Sequence, residues 1–300
     1  MSAKTAAAAL LLTASCTAQK PEIGAPPASV WTETCEDWAD WDKPGPPFRI
    51  HGDSYYVGTC GIGAILITGD QGHVLIDGGT QDGAAEIMAN IAELGFAIED
   101  VKIILNSHEH FDHVGGLSSL QRASGAEVLT SVQAADVLRS GREGSDDPQA
   151  GLHAPFEPVA NVLEGLDPSA KNGSQRVTLG TTELTAIATP GHTAGALTWQ
   201  WRSCDPSGDC RTIVYADSMS PISNDTYRFS GHPEYLAAFR QGIARVAALD
   251  CDILLTPHPS ASGLRDKLLA GDFTSGMNCR QYAASITDRL DARLAEEAAR

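Results

Sequence analysis

The chain reads as an α/β protein of two β-sheets packed face to face, with helices on both outer faces. Strand-like apolar runs fall in two groups along the sequence, each followed by segments of helical spacing. At 300 residues the chain can hold one large α/β domain, and no linker divides it. Hydrophobic residues make up 42% and charged residues 20%, an ordinary balance for a protein with a buried core.

Taken in order, residues 19–30 are rich in Pro and Ala and read as a flexible leader. Strands are expected at 55–58, 64–67 and 73–76. The last two are joined by the turn Gly69-Asp70-Gln71-Gly72 in a hairpin pattern, closed by Asp77-Gly78-Gly79. Residues 81–94 set Ile87, Ile91 and Leu94 on one helical face, and 101–105 is a short apolar run suited to a buried strand. A helix over 114–122, a strand over 126–130 and a short helix over 133–140 follow. Residues 141–173 carry many Gly, Pro, Ser and Asn and no period; so long a stretch in a compact domain is often functional. Strands are expected near 174–178, 183–188, 196–202 and 212–215, with Cys204 and Cys210 at a hairpin tip. Residues 233–249 space Leu236, Phe239, Ile243 and Val246 as a helix, 252–256 is a strand, and 279–299 is a final amphipathic helix.

The formal charge of −17 argues against a nucleic-acid partner, because a phosphate backbone would be repelled. Lys4, the short apolar run 6–12 and the small residues 13–15 read as an export signal, too short for a membrane span. Cleavage after Ala18 would leave a soluble periplasmic or secreted protein, and cleavage before Cys16 a lipid anchor. Thr13 fits the lipoprotein pattern poorly, so the soluble form is favoured. The expected organisation is a signal at 1–18, a leader at 19–48 and a single domain at 49–300. Setting Cys16 aside, six cysteines remain, and an oxidising compartment makes disulfides their default. Neighbours along the chain suggest Cys35 with Cys60, Cys204 with Cys210 and Cys251 with Cys279, although six cysteines allow about 15 connectivities.

The strongest chemical signal is Ser107-His108-Glu109-His110-Phe111-Asp112-His113. Three imidazoles and a carboxylate crowded after an apolar strand cost core volume and repel one another if protonated. A metal ion removes that cost, since neutral imidazole and ionised carboxylate are its ligands. In an extended loop His108 and His110 point the same way and Glu109 the other, while Asp112 and His113 can turn toward a second ion. His192, in Thr189-Pro190-Gly191-His192-Thr193, and His258, in Thr256-Pro257-His258-Pro259, each end a predicted strand on a backbone fixed by Pro or Gly. Two sites follow, one of His108, His110 and His192, the other of Asp112, His113 and His258. Each keeps a position open for water.

In order along the chain, Asp77-Gly78-Gly79, the 108–113 run, Pro190-Gly191-His192-Thr193, Ala216-Asp217-Ser218 and Pro257-His258 resemble the metallo-β-lactamase superfamily over roughly residues 50–260. The resemblance implies an αββα sandwich, the metallo-β-lactamase fold, with a dinuclear site at one edge. Segment 215–220, Tyr-Ala-Asp-Ser-Met-Ser followed by Pro221, is similar to the third subclass of β-lactamases, as are 255–259 and the bracketing Cys251 and Cys279. Glyoxalase-type and lactonase-type members carry Gly-Asp there, and in them that Asp bridges the metals; on that alternative, Asp217 is the bridge.

The third subclass implies a zinc-dependent β-lactamase, acting on a small-molecule β-lactam by a metal-held hydroxide, with two zinc ions per chain and a monomeric state. It makes Ser218 and Ser220 candidates for binding the substrate carboxylate and Asp112 a partner in protonating the leaving nitrogen. Tyr227 is a candidate at the oxyanion. Asp77 either orients the Asp112 loop or caps the next helix. His51, His73 and His232 read as surface or packing residues. His153 is placed on the loop rimming the pocket, where Phe156 and Leu152 serve either ligand contact or loop anchoring. The alternatives kept open are a lactonase, a glyoxalase II-like thioesterase or a sulfatase of the same fold, and a non-catalytic or iron-binding module.

Overall fold

The structure is a computed structural model that describes residues 27–299. After helix α1 (Ala28–Thr34) come β1 (Phe48–His51), β2 (Ser54–Tyr56), β3 (Ile65–Ile67), β4 (His73–Ile76), α2 (Gly83–Glu93) and β5 (Val101–Leu105). Helices α3 (Phe111–Val114) and α4 (Leu117–Ser124), β6 (Glu127–Ser131), α5 (Ala135–Ser140) and β7 (Val162–Leu166) complete the first half. The second half holds β8 (Ser174–Leu179), β9 (Thr182–Ala188), β10 (Leu197–Cys204), β11 (Cys210–Tyr215), α6 (Pro233–Ala247), β12 (Ile253–Leu255), α7 (Leu264–Ala270) and α8 (Cys279–Ala299).

The strands form two mixed sheets, ordered β1-β2-β3-β4-β5-β6-β7 and β12-β11-β10-β9-β8. Alternation along each strand decides the layering. In β4, Val74 and Ile76 face the second sheet while Leu75 faces the helices. In β11, Ile213 and Tyr215 face inward while Val214 faces outward, and in β12 Ile253 and Leu255 oppose Leu254 in the same way. The core between the sheets is built around Trp199, Tyr56, Phe48 and Leu105. Helices α2, α4 and α5 cover the first sheet, and α6 and α8 cover the second. Each fully buried aliphatic or Phe side chain in these layers contributes about 1.5–3 kcal/mol of transfer free energy. No helix among the described residues is long and apolar enough to cross a membrane.

The expected 73–76 hairpin forms, with Ile65 opposite Ile76. Cys35–Cys60, Cys204–Cys210 and Cys251–Cys279 are all bonded.

Four local expectations change. The signal at 1–18 lies outside the described residues, but the leader beyond residue 26 is not a tail. Trp31 is 1% exposed against Phe48 and Tyr56, and Cys35 is tied to Cys60, so these residues belong to the core. The single helix expected over 114–122 is two, because Gly115 and Gly116 break it where Gly116 N donates to Gly79 O at 3.1 Å. The segment 141–173 holds β7, whose ends alone are buried, so its sequence lacks the usual alternation. Phe156 is buried in the helix-side core as a loop anchor, while Leu152 is 56% exposed.

Candidate metal centre

All the chemical motifs sit at the carboxyl ends of strands along one edge of the sandwich. Strand β4 delivers Asp77, β5 the 108–113 loop, β9 His192, β11 Ser218 and Ser220, and β12 His258. The two sheets are stitched together at that edge. Leu197 N donates to Ser107 O at 2.6 Å, Trp199 Nε1 to Asn106 O at 2.9 Å, and Tyr215 Oη to Asp77 Oδ2 at 2.9 Å. The turn carrying His192 requires glycine at 191, since a Cβ there would lie 2.1 Å from Phe239 Cδ2.

The donor atoms of His108, His110 and His192 lie within 4.8 Å of one another, and so do those of His108, Asp112 and His113. His258 joins through Asp112, whose Oδ2 is 3.0 Å from His113 Nε2 and 3.3 Å from His258 Nε2. The structure therefore brings together all six side chains spaced from 108 to 258. Glu109 points away, accepting from Thr193 Oγ1 at 2.6 Å and Gly195 N at 2.8 Å, as alternation requires.

Oxygens stand behind the outer nitrogens of the buried imidazoles. His108 Nδ1 meets Asp217 Oδ1 at 2.9 Å, His110 Nε2 meets Asp147 at 3.2 Å, and His192 Nδ1 meets Ser220 O at 2.9 Å. His113 Nδ1 lies 3.6 Å from Asp77 Oδ2. A carbonyl or carboxylate oxygen accepts, so His110 Nε2 and His192 Nδ1 carry the proton and the other nitrogen of each presents a lone pair. Those lone pairs converge. His110 Nδ1 and His192 Nε2 are 3.2 Å apart, and the buried His108 Nε2 has no protein partner. Such a donor set fits a cation.

The electrostatics divide the imidazoles, since burial disfavours a charged His110 but Asp147 behind it outweighs burial and raises its pKa. Burial, and after it the neighbouring imidazoles, hold His108 and His192 well below the ordinary imidazole range, in the neutral ligand form. Burial also disfavours a charged His113, but Asp112 and Asp77 outweigh it and raise its pKa to about 10. In the metal-free protein His113 and Asp112 form an ion pair.

Two aspartates are placed by these contacts. Asp217 is wholly buried, sets Oδ1 2.9 Å from His108 Nδ1 and accepts Met219 N on Oδ2 at 3.0 Å. Its carboxylate stands behind a ligand rather than between ligands. Asp77 holds Ser107 N at 2.6 Å and Ser107 Oγ at 2.8 Å as well as Tyr215, so it orients the metal loop and caps no helix. It does so in the left-handed region, φ 67°, a strain of about 1–3 kcal/mol of the kind found at functional sites.

The site opens into a cavity of about 300 Å³ lined by His110, Asp112, His192 and His258, with Ser218 and Ser220 on one wall. Ser218 Oγ is buried there without a hydrogen-bond partner. Tyr227 does not line this cavity. Its ring packs on Phe229 at 5.2 Å and His232 at 4.5 Å, so the expected oxyanion role is not met. His153 does reach the rim, its ring 4.7 Å from that of His110. Sequence reasoning missed Trp38, Trp41, Gln149 and Arg289, which also line the cavity. Two tryptophans in a short polar leader were the one signal available for the first pair. Among the described lining residues Arg289 is the sole Lys or Arg.

The metallo-beta-lactamase superfamily model matches residues 57–205. The fold is similar to that of the MIM-2 metallo-beta-lactamase, with 55% identity, a TM-score of 0.83, and coverage of 91% of this chain and 99% of that one. It is also similar to MEM-A1, a subclass B3 metallo-beta-lactamase from a soil metagenome library, with 46% identity, a TM-score of 0.80, and coverage of 87% and 99%. A curated relative, the hydroxyacylglutathione hydrolase of Rhodospirillum rubrum, is 29% identical over 116 residues, 39% of this chain. That match spans only 34% of the relative's own length.

Proposed function

The chain belongs to the metallo-beta-lactamase superfamily, and from that premise we propose that it is a β-lactamase of the third subclass, opening the amide ring of a small-molecule β-lactam. The observation that carries this reading is the convergence of imidazole lone pairs beside an Asp112–His113 ion pair, at the floor of a cavity walled by Ser218 and Ser220.

Two zinc ions are the proposed cofactor, one held by His108, His110 and His192, the other by Asp112, His113 and His258. The donor set of imidazole and carboxylate suits that metal. When bound, the pair supplies Lewis-acid polarisation of a carbonyl and an acidified water at neutral pH.

The chain's own residues do the remaining work. Ser218 Oγ is free to donate to the substrate carboxylate, with Ser220 beside it and Arg289 as a cation at the same cavity. Trp38, Trp41 and Ile222 give the rim apolar area against which substrate substituents pack and exclude water. Although burial opposes it, His113 and His258 hold Asp112 well below the usual carboxylate range, so Asp112 stays ionised beside them and would orient the water whose proton passes to the leaving nitrogen.

A serine nucleophile is disfavoured. Ser220 Oγ is 3.1 Å from His192 Nδ1, but Nδ1 also faces Ser220 O at 2.9 Å and so carries the proton. It has no lone pair with which to act as a base.

The thioesterase and lactonase readings need Asp217 as a bridge, and its engagement by His108 and Met219 speaks against them. A periplasmic or secreted monomer, with Cys16 as an alternative lipid anchor, is proposed from the signal-like start and the six paired cysteines.

The test is hydrolysis of a penicillin, a cephalosporin and a carbapenem by zinc-loaded protein, with and without chelator. Turnover of at least one, abolished by the chelator, is expected. No turnover of any would reject the substrate assignment, and chelator-resistant turnover would reject the metal's role.

A further inference from the structure

Three of the buried imidazoles have a carboxylate behind them, but not from the same kind of structure. The carboxylates behind His108 and His113 come from Asp217 and Asp77, each directly following a core strand. The carboxylate behind His110 comes from Asp147, in the irregular segment between α5 and β7. Both Asp147 oxygens lie 3.2 Å from His110 Nε2, and the two side chains are 2% and 6% exposed.

That segment is fixed by contacts of its own. Asp147 Oδ1 accepts Gln149 N at 2.7 Å, and Asp147 N donates to Gly144 O at 3.2 Å. Asn224, just beyond the Ser218–Ser220 wall, straps it from outside. Its N donates to Pro148 O at 2.8 Å and its Nδ2 to Ala150 O at 2.9 Å. The His153 ring lies 4.7 Å from that of His110 and restricts its rotation.

We propose that Asp147 is the positioning residue of the three-imidazole site, gripping His110 Nε2 so that Nδ1 faces His108 and His192, and that it makes this site's metal affinity depend on the 144–150 loop. The inference rests on the reading of that site as zinc-binding. A ligand that binds through Nδ1 must keep its proton on Nε2, and an acceptor at Nε2 stabilises that tautomer and fixes the ring plane. Without it the ring can turn about its Cβ–Cγ bond or move its proton, and the lone pair leaves the site. The Asp112, His113 and His258 set receives no contact from Asp147, so its affinity is independent of the loop. Gln149, two residues on, lines the substrate cavity, so one short loop shapes both a metal ligand and the pocket wall.

The experiment uses the full chain, stripped of metal and titrated with Zn2+ against a chromophoric competing chelator. The parent is compared with Asp147→Ala, Asp147→Asn and Asn224→Ala. In Asp147→Ala one of two zinc equivalents should weaken by about 10–100-fold while the other keeps its parental affinity. Asp147→Asn, whose amide oxygen still accepts from Nε2, should recover part of the loss. Asn224→Ala, which loosens the loop without touching His110, should give a smaller loss at the same equivalent. The proposal is overturned if Asp147→Ala binds both equivalents as the parent does, or if both weaken together, as a general loss of fold would produce. If the parent itself takes up no zinc at the three-imidazole set, the zinc reading fails and this inference with it. Tight binding by parent and variant alike removes this inference alone.

Discussion

His108 Nδ1 lies 2.9 Å from Asp217 Oδ1, and both side chains are wholly buried. Asp217 thus stands behind His108, on the side of Nδ1, and Nε2 is the nitrogen left for an ion. Asp217→Asn should therefore still bind two zinc ions at saturation, with the His108 site weakened by about 10–100-fold. Metal analysis after dialysis at graded zinc concentrations checks this. A fall in saturating stoichiometry from two to one would identify Asp217 as a bridge and restore the lactonase or thioesterase reading.

The Asp112–His113 pair makes the metal-free protein sensitive to pH in a definite direction. The folded pKa of His113, about 10, stands above the unfolded imidazole value of about 6.5. Its contribution to stability is complete below about pH 6.5 and is lost as pH rises through 10. Urea unfolding of chelator-treated protein should show stability falling between those limits. Zinc uptake at pH 8 should release the His113 proton, read by calorimetry in buffers of different ionisation enthalpy. Uptake without proton release would mean that His113 is neutral in the metal-free state.

Ser218 Oγ is buried at the cavity wall without a partner. If it donates to the substrate carboxylate, Ser218→Ala should raise KM by about 10-fold or more with little change in kcat. A hydrogen bond to a charged group contributes about 1.5–3 kcal/mol, roughly 10- to 150-fold at most. The loss should shrink when the substrate carboxylate is esterified. An equal loss on the ester would place the effect elsewhere.

Cys251–Cys279 ties the segment before β12 to the first turn of α8, a sequence separation of 28. Closing a loop of that size stabilises by about 2–4 kcal/mol. Tyr282, one turn into α8, donates to Asp217 O at 2.9 Å and Ser218 O at 2.6 Å. The Cys251→Ser/Cys279→Ser double variant should thus lose about that stability in denaturant unfolding. It should also raise KM more than kcat falls, through the loosened Ser218 wall. Unchanged stability would show that α8 is held by its packing alone.

Much of the site was legible because metal ligation leaves residues that fit nothing else. His108, His110, Asp112 and His113 crowd one loop, and His192 and His258 each close an apolar strand beside Pro or Gly. Inner strands such as β4 and the second half of β11 announced themselves through Val-Leu-Ile and Ile-Val-Tyr runs buried on both faces. What stayed hidden depends on long-range contact. Trp38 and Trp41 sit in a segment whose composition reads as a leader, and long-range contacts draw it over the cavity: Trp31 burial, the Cys35–Cys60 bond and the bond from Trp38 N to Ser260 Oγ at 2.8 Å. Strand β7 buries only its end residues, so no period marks it. Asp147 and Arg289 are ordinary surface types in sequence and gain meaning only from the imidazole or cavity they meet. Tyr227 shows no pattern in sequence that separates an oxyanion role from packing, and its ring lies against Phe229 and His232.

The central claim is that six side chains from the loops after three strands, β5, β9 and β12, hold two zinc ions. Anomalous diffraction from zinc-soaked crystals, recorded on both sides of the zinc edge, tests it most directly. The account predicts two peaks, one among His108 Nε2, His110 Nδ1 and His192 Nε2, the other among Asp112, His113 and His258. A single peak, no peak, or a peak coordinated by Asp217 would contradict it.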